Sequence, residues 1–311
     1  MKFRLFLLLL ITMFPALNAA TLRCVQCNKV IRGRYFTSGG KAYCSETCIE
    51  KTWPKCSLCG KHFRNGVQLS DDPGKVFCSD CAAKPQCFSC RLPADCEKLD
   101  DGRTLCRECY QRAVFKYEEA LEIFNEVRSR LKQELELGTE HRIHFQLVSL
   151  PELERRSRET GSGAGIELGL FYHNFTEVTR TTESVLPWHK PKTEVIRTNE
   201  RFAIYVLYGM PREKLIEICA HELAHDWMQA KYPAIINLKI KEGWAEYVAS
   251  KANRLFGNES LNRRIELNPD PIYGNGYREI VKYVTDHGKS GLYDYFASLN
   301  QNHSAAGQRV K

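Results

Sequence analysis

Ala220-His221-Glu222-Leu223-Ala224-His225-Asp226-Trp227 sits inside a run without Gly or Pro that extends from Arg212 to Lys231. Pro211 stands immediately before that run, where a proline starts a helix, so a helix is expected from Arg212 to about Lys231. Residues four apart stack on one helix face, which lets the imidazoles of His221 and His225 hold one zinc ion. Glu222 projects beside that face, where a carboxylate can accept a proton from an attacking water and pass it to the leaving amine. Two histidines on a surface helix would have the same spacing without any metal, so a third ligand matters. Sixteen residues separate His225 from Glu242, which begins Glu242-Gly243-Trp244-Ala245-Glu246-Tyr247 on a further helix. Two His and one carboxylate leave the fourth zinc position open, as catalysis needs. Glu246, one turn beyond Glu242, is placed either to accept from the free ring nitrogen of a ligand histidine or to make a plain salt bridge. Asp226 reads as a surface charge on the helix.

The Glu242–Glu246 segment resembles the E-G-F-A-E segment of aminopeptidase N and, more loosely, the third-ligand helix of thermolysin, both gluzincin metallopeptidases. Tyr273-Gly274-Asn275-Gly276 likewise resembles the segment where aminopeptidase-type enzymes place a tyrosine. The resemblance implies that the Tyr273 phenol supports the developing oxyanion. Tyr277 is the competing candidate, and both also suit packing.

Upstream, Tyr110 to about Leu137 has no Gly or Pro and repeats apolar residues at Val114, Tyr117, Leu121, Phe124, Val127, Leu131 and Leu135. Steps of three and four predict an amphipathic helix, stopping at Gly138 and linking residues 21–109 to a domain over 139–311. Ile143–Leu150, Gly165–Phe171 and Phe202–Tyr208 read as strands of a small sheet, with Pro187 and Pro191 in a surface loop between them.

Residues 21–109 hold 13 of the 14 cysteines. They pair as Cys24/Cys27 with Cys44/Cys48, Cys56/Cys59 with Cys78/Cys81, and Cys87/Cys90 with Cys106/Cys109, giving modules over 24–48, 56–81 and 87–109. A tight turn between two thiolates lets both reach one tetrahedral zinc, and a short hairpin returns the second pair. Three tandem copies favour structural zinc over disulfides, with the metal supplying much of the folding free energy. His62 is a spare ligand candidate, while Cys96 and Cys219 read as free thiols, the latter packed. The arrangement resembles LIM domains. It departs in the longer gaps between modules (seven residues from Cys48 to Cys56, five from Cys81 to Cys87) and in having Cys44 where a histidine is usual. Recognition and plain scaffolding are both open roles for it.

The chain has 311 residues, 43% hydrophobic and 26% charged, which excludes a mainly disordered or multi-span protein. Residues 1–20 read as a secretory signal: Lys2 and Arg4, the apolar run Leu5–Phe14, then Ala19 and Ala20. The expected product is exported, periplasmic or secreted, without a stable membrane anchor. The formal charge is +8, but each Cys₄ zinc site carries two net negative charges. Metal loading and loss of the leader therefore bring the total to about zero, which predicts no nucleic-acid partner.

Modules of this kind joined to a C-terminal H-E-x-x-H segment resemble the plant growth-limiting "DA-one" peptidases. The likeness is carried by Leu99-Asp100-Asp101-Gly102-Arg103-Thr104-Leu105-Cys106, by Leu207–Arg212, by Ala220–Trp227, by Glu242-Gly243 and by Pro271–Arg278, across roughly 56–296. It implies zinc on His221, His225 and Glu242, with Glu222 as base and acid. The plant proteins carry ubiquitin-interacting segments where this chain has its leader, so ubiquitin control is not carried over, and an exported bacterial relative is expected. The fold class expected is α+β: tandem zinc modules, a long helix and a gluzincin-type domain. The expected function is an exported zinc peptidase acting on protein or peptide, with one catalytic and about three structural zinc ions. The competing readings are a LIM-like protein-binding adaptor with an idle peptidase fold and, among enzymes, an exopeptidase, for which no residue anchoring a substrate terminus is evident.

Overall fold

A computed structural model describes residues 21–69, 72–160, 167–182 and 192–309. The expected leader, the loop prolines Pro187 and Pro191, and Gly165 lie outside the described residues. No described helix is long and apolar enough to cross a membrane.

The three cysteine modules repeat one design. A bridged turn (Arg23 to Val30, Lys55 to His62, Gln86 to Pro93) carries the first pair of thiols. A hairpin and a short helix carry the second: β1 Phe36–Ser38, β2 Lys41–Tyr43 and α1 Glu46–Glu50; β3 Gly66–Gln68, β4 Val76–Cys78 and α2 Ser79–Ala82; β5 Cys96–Lys98, β6 Thr104–Cys106 and α3 Arg107–Gln111. Such strands of three residues are too short to hold themselves together, and a metal on the four thiols of each module would supply much of the missing stability.

The expected single helix from Tyr110 is in fact two with a strand between. α3 ends at Gln111, β7 (Ala113–Val114) follows, and α4 runs Tyr117–Leu135. β7 pairs antiparallel with β11 (Met210–Pro211), and the Gly209 amide donates to the Val114 carbonyl at 2.7 Å. Val114 fits the helical periodicity but reaches the core as a strand residue, because its pairing partner lies far along the chain. α4 stops at Glu136, which takes a left-handed φ of 60°, and not at Gly138. Ala120, Ile123, Phe124, Val127 and Leu131 are all buried, so α4 is an element of the core.

Beyond it come β8 Ile143–Val148, α5 Leu150–Thr160, β9 Gly169–Thr182 and β10 Lys192–Leu207. The sheet order is β8-β10-β9, with β10 parallel to β8 and antiparallel to β9. Phe202 to Leu207 are all buried, the unbroken pattern of a strand covered on both faces. β9 and β10 continue well past the segments expected from sequence, as an exposed two-stranded arm rich in Thr, Val and charge.

α6 (Arg212–Lys231) lies where the sequence placed it, and packs on α7 (Leu238–Leu255) and α4. After a 3₁₀ turn come α8 (Asn262–Glu266) and α9 (Tyr273–Arg309), the latter kinked at Gly288. α7 and α9 cross with their backbones touching. A Cβ on Gly243 would lie 2.4 Å from the carbonyl carbon of Gly276, and one on Gly276 would lie 2.5 Å from the Lys239 carbonyl oxygen. Only glycine permits that approach. Trp227, Trp244, Tyr293 and Phe296 fill the space beneath.

The third module is fastened to this core. Arg103 and Asp101 form an ion pair of 2.7 Å whose side chains are 1% and 3% exposed. The guanidinium donates to the Tyr208 carbonyl at 2.7 Å and lies over the rings of Phe88 and Tyr208. Asp101 also accepts from the Leu150 amide at 3.0 Å.

Candidate metal centres and cleft

Each module brings its four sulfurs together, within 4.8 Å of one another. The separations Cys27–Cys44, Cys44–Cys48, Cys59–Cys78 and Cys90–Cys106 are 3.4, 3.6, 3.9 and 3.9 Å. Four sulfurs at zinc–sulfur bond length on a tetrahedron stand about 3.8 Å apart, so the clusters fit zinc. All fourteen cysteines are free thiols. Burial opposes ionisation of Cys56, but the amides of Cys59, Cys78 and Leu58 outweigh it and bring this thiol down to about 6. His62 is turned away, donating from Nδ1 to the Trp53 carbonyl at 2.8 Å. Cys96 stands outside the clusters, near the Ala94 carbonyl, and Cys219 is fully buried.

The fourth donor set contains no sulfur. α6 presents His221 and His225, and the first turns of α7 present Glu242. His221 Nε2 is 3.2 Å from His225 Nε2 and 3.2 Å from Glu242 Oε2, and His225 Nε2 is 3.4 Å from that oxygen. Nitrogen and oxygen ligands at ordinary zinc distances lie about 3.3 Å apart on a tetrahedron. The three atoms form one face of it. Burial works against ionisation of Glu242, yet the two imidazoles outweigh it and hold the carboxyl below the usual carboxylate range.

Glu222 is 5% exposed and stands beside this face, its pKa pushed up by burial. The strand β9 starts against it: a Cβ on Gly169 would fall 2.7 Å from Glu222 Oε1 and 2.6 Å from Ile218 Cγ2. Glu246 Oε1 is 3.7 Å from His221 Nδ1, within ion-pair reach and too long for a hydrogen bond. The structure separates the two tyrosines. The Tyr273 ring stacks 6.4 Å from that of His221 and lines the cleft, whereas Tyr277 is buried with its hydroxyl 3.4 Å from Ser250 Oγ. Asp270 fixes Tyr273 by accepting from its amide at 2.9 Å.

Asp226 corrects the sequence reading. It is 1% exposed and accepts from Thr139 Oγ1 at 2.5 Å and His141 Nδ1 at 2.6 Å. It therefore ties the end of the α4–β8 connection to α6, one residue past His225. Nothing in the local spacing signals this, since both partners lie some 85 residues upstream.

The donors open into a cavity of about 700 Å³ whose walls include Glu167, Phe171, Lys241, Asp270 and Ile272. Glu167 and Asp270 were missed in the sequence because neither belongs to a periodic or spaced motif.

The DA1-like family model, described as Protein DA1, matches residues 172–251, from β9 through α6 and Glu242 into α7. Protein DA1 of Arabidopsis thaliana is 24% identical over 311 positions, covering 82% of this chain and 58% of its own length. The LIM domain-containing protein HDR3 of Oryza sativa subsp. japonica is 26% identical over 71% of this chain and 48% of its own. The cattle PDZ and LIM domain protein 7 is 37% identical over 81 residues, 26% of this chain. The chain spans 48–63% of the length of the plant relatives it matches.

Proposed function

We propose that this chain is a zinc-dependent peptidase whose cysteine modules position protein substrate or control access to the cleft. The reading rests on one observation: three donor atoms 3.2–3.4 Å apart beside a buried glutamate, in a cleft. A zinc ion held by His221, His225 and Glu242 would supply Lewis acidity to the scissile carbonyl and to the attacking water. Glu222, raised in pKa by its burial, takes the water's proton and returns it to the leaving nitrogen. Tyr273 offers its hydroxyl to the oxygen on which charge develops. Glu246 orients His221 from behind. The start of β9 offers main-chain groups along which an extended peptide can lie.

A protein-binding adaptor with an idle peptidase fold is the second reading, and the names of the relatives favour it, since they speak of LIM domains and of no peptidase. Against idleness stand the intact His221, Glu222, His225 and Glu242. Export, and with it a bacterial setting, is proposed on the leader alone, as the relatives named above are plant and mammalian.

The test is cleavage of an unfolded protein by the zinc-loaded chain, wild type against Glu222→Gln. The wild type should cut, and the variant should keep its zinc and lose turnover by about 10³-fold or more. No cleavage by the wild type at full zinc content would leave the adaptor reading standing.

A further inference from the structure

The cleft holds a carboxylate that the proposed chemistry does not use. Glu167 lies two residues before β9 and lines the same cavity as His221, His225, Glu242 and Tyr273. The Ser157 hydroxyl of α5, itself buried, stands near its carboxyl and favours the charged form. Its oxygen Oε2 is shielded and has no hydrogen-bond partner, while the residue as a whole is only half-buried and stays open to the cavity.

A half-satisfied carboxylate in such a place is costly, and the remedy is a nearby cation. Among the described residues none provides one. Lys214, at the cleft, is bonded to Glu217. Lys241 lines the cavity but makes no ion pair with Glu167, and no described arginine or lysine does. Burial first, and then the charges of Glu222 and Glu242, push the Glu167 pKa up, with His225 pulling the other way. A divalent ion on the three ligands would balance Glu222 and Glu242. It would leave Glu167 over, together with Glu246, which stands 3.7 Å from His221 Nδ1.

We propose that Glu167 receives a cationic group of the substrate, an ammonium or guanidinium carried close to the scissile bond. This rests on the peptidase reading and narrows it. The group has two sources, a free peptide N-terminus or a Lys or Arg side chain. The first makes the enzyme an exopeptidase, the second an endopeptidase cutting beside basic residues. Selectivity would come from the penalty on neutral substrates, which leave the half-buried carboxylate uncompensated.

Equilibrium binding tests the inference without relying on turnover. The zinc-loaded Glu222→Gln protein is titrated with three labelled peptides of equal length: free N-terminus with neutral side chains, acetylated with one Lys or Arg, and acetylated and neutral throughout. At least one cationic peptide should bind about ten-fold or more tighter than the neutral one. Adding Glu167→Gln, which keeps the shape and removes the charge, should bring that ratio close to one. The cationic arm that loses affinity identifies the source. In the turnover-competent chain, Glu167→Gln should raise KM for the same cationic peptide and leave kcat nearly unchanged. Circular dichroism and zinc content check that the variant folds and loads.

Equal binding of all three peptides, or a cation preference that survives Glu167→Gln, overturns the inference whether or not the wild type cleaves. A preference that depends on Glu167 in a chain that cuts nothing overturns the peptidase reading and supports the cation site.

Discussion

The first and third cysteine modules carry almost the same ligand spacing and have opposite surroundings. In the third, Cys87 and Leu105 are fully buried, and Leu99, Cys106 and Cys109 nearly so, with Phe88, Ala113 and Tyr208 closing around them. In the first, Cys27 is exposed, and Leu22, Val25, Tyr35 and Phe36 face solvent. No residue of the first module enters any buried apolar cluster of the described chain. The metal ligands therefore decide that each module forms, and other residues decide what it belongs to. Arg103 and Asp101 make the third module part of the C-terminal core. The second is intermediate: Leu92 of the third packs on its cluster, and Asp72 stands 3.6 Å from Arg263 of α8.

The largest expected contrast comes from removing one ligand in each module. Cys87→Ser should lower the Tm of the C-terminal region by roughly 10 °C or more, whereas Cys24→Ser should leave that transition in place. Calorimetry of both variants decides it, and equal losses would erase the distinction. Next, Arg103→Ala should cost about 3–5 kcal/mol in denaturant unfolding, because it strands Asp101 in the interior. Replacing Asp101 and Arg103 together with apolar residues of similar volume should cost much less. Deleting residues 21–85, which spares the third module, should leave a folded chain and change cleavage of folded proteins several-fold, with little change on short peptides. Unchanged rates on both would show that the first two modules take no part in catalysis. The smallest effect is expected from Val25→Ser or Phe36→Ser, within about 0.5 kcal/mol of wild type. A larger loss would mean that the exposed face of the first module is covered in the working protein.

What could be read in the sequence was whatever is fixed by short-range spacing. The thiol pairs, the two histidines one helical turn apart and the α6 boundaries follow from ligand reach and helix periodicity. The strand at Ala113–Val114 did not, because its partner is β11 and local periodicity favours a helix there. Asp226 was read as exposed for the same reason, its two partners arriving from the far end of α4. Glu246 was expected beside a ligand histidine and lies there at a distance that suits an ion pair better than a hydrogen bond. Gly243 and Gly276 sit within segments the sequence singled out, but their role is packing: the helix carrying Glu242 and the helix starting at Tyr273 touch through them.

The short β7–β11 ladder also sets an order in time. Val114 meets Met210, so forming it closes a loop of 96 residues, whereas the sulfurs of Cys90 and Cys106 are only 16 residues apart. Chain entropy makes the long closure dearer by about 1.6 kcal/mol, and contacts of such separation form late. The third module can thus gather its thiols while the C-terminal half is still unfolded. Its last cysteine lies five residues before Val114, so β7 is held beside a finished structure when Met210 arrives, and α6 begins at the very next residue after that ladder. The histidine helix is thereby expected to dock last, onto a footing already in place.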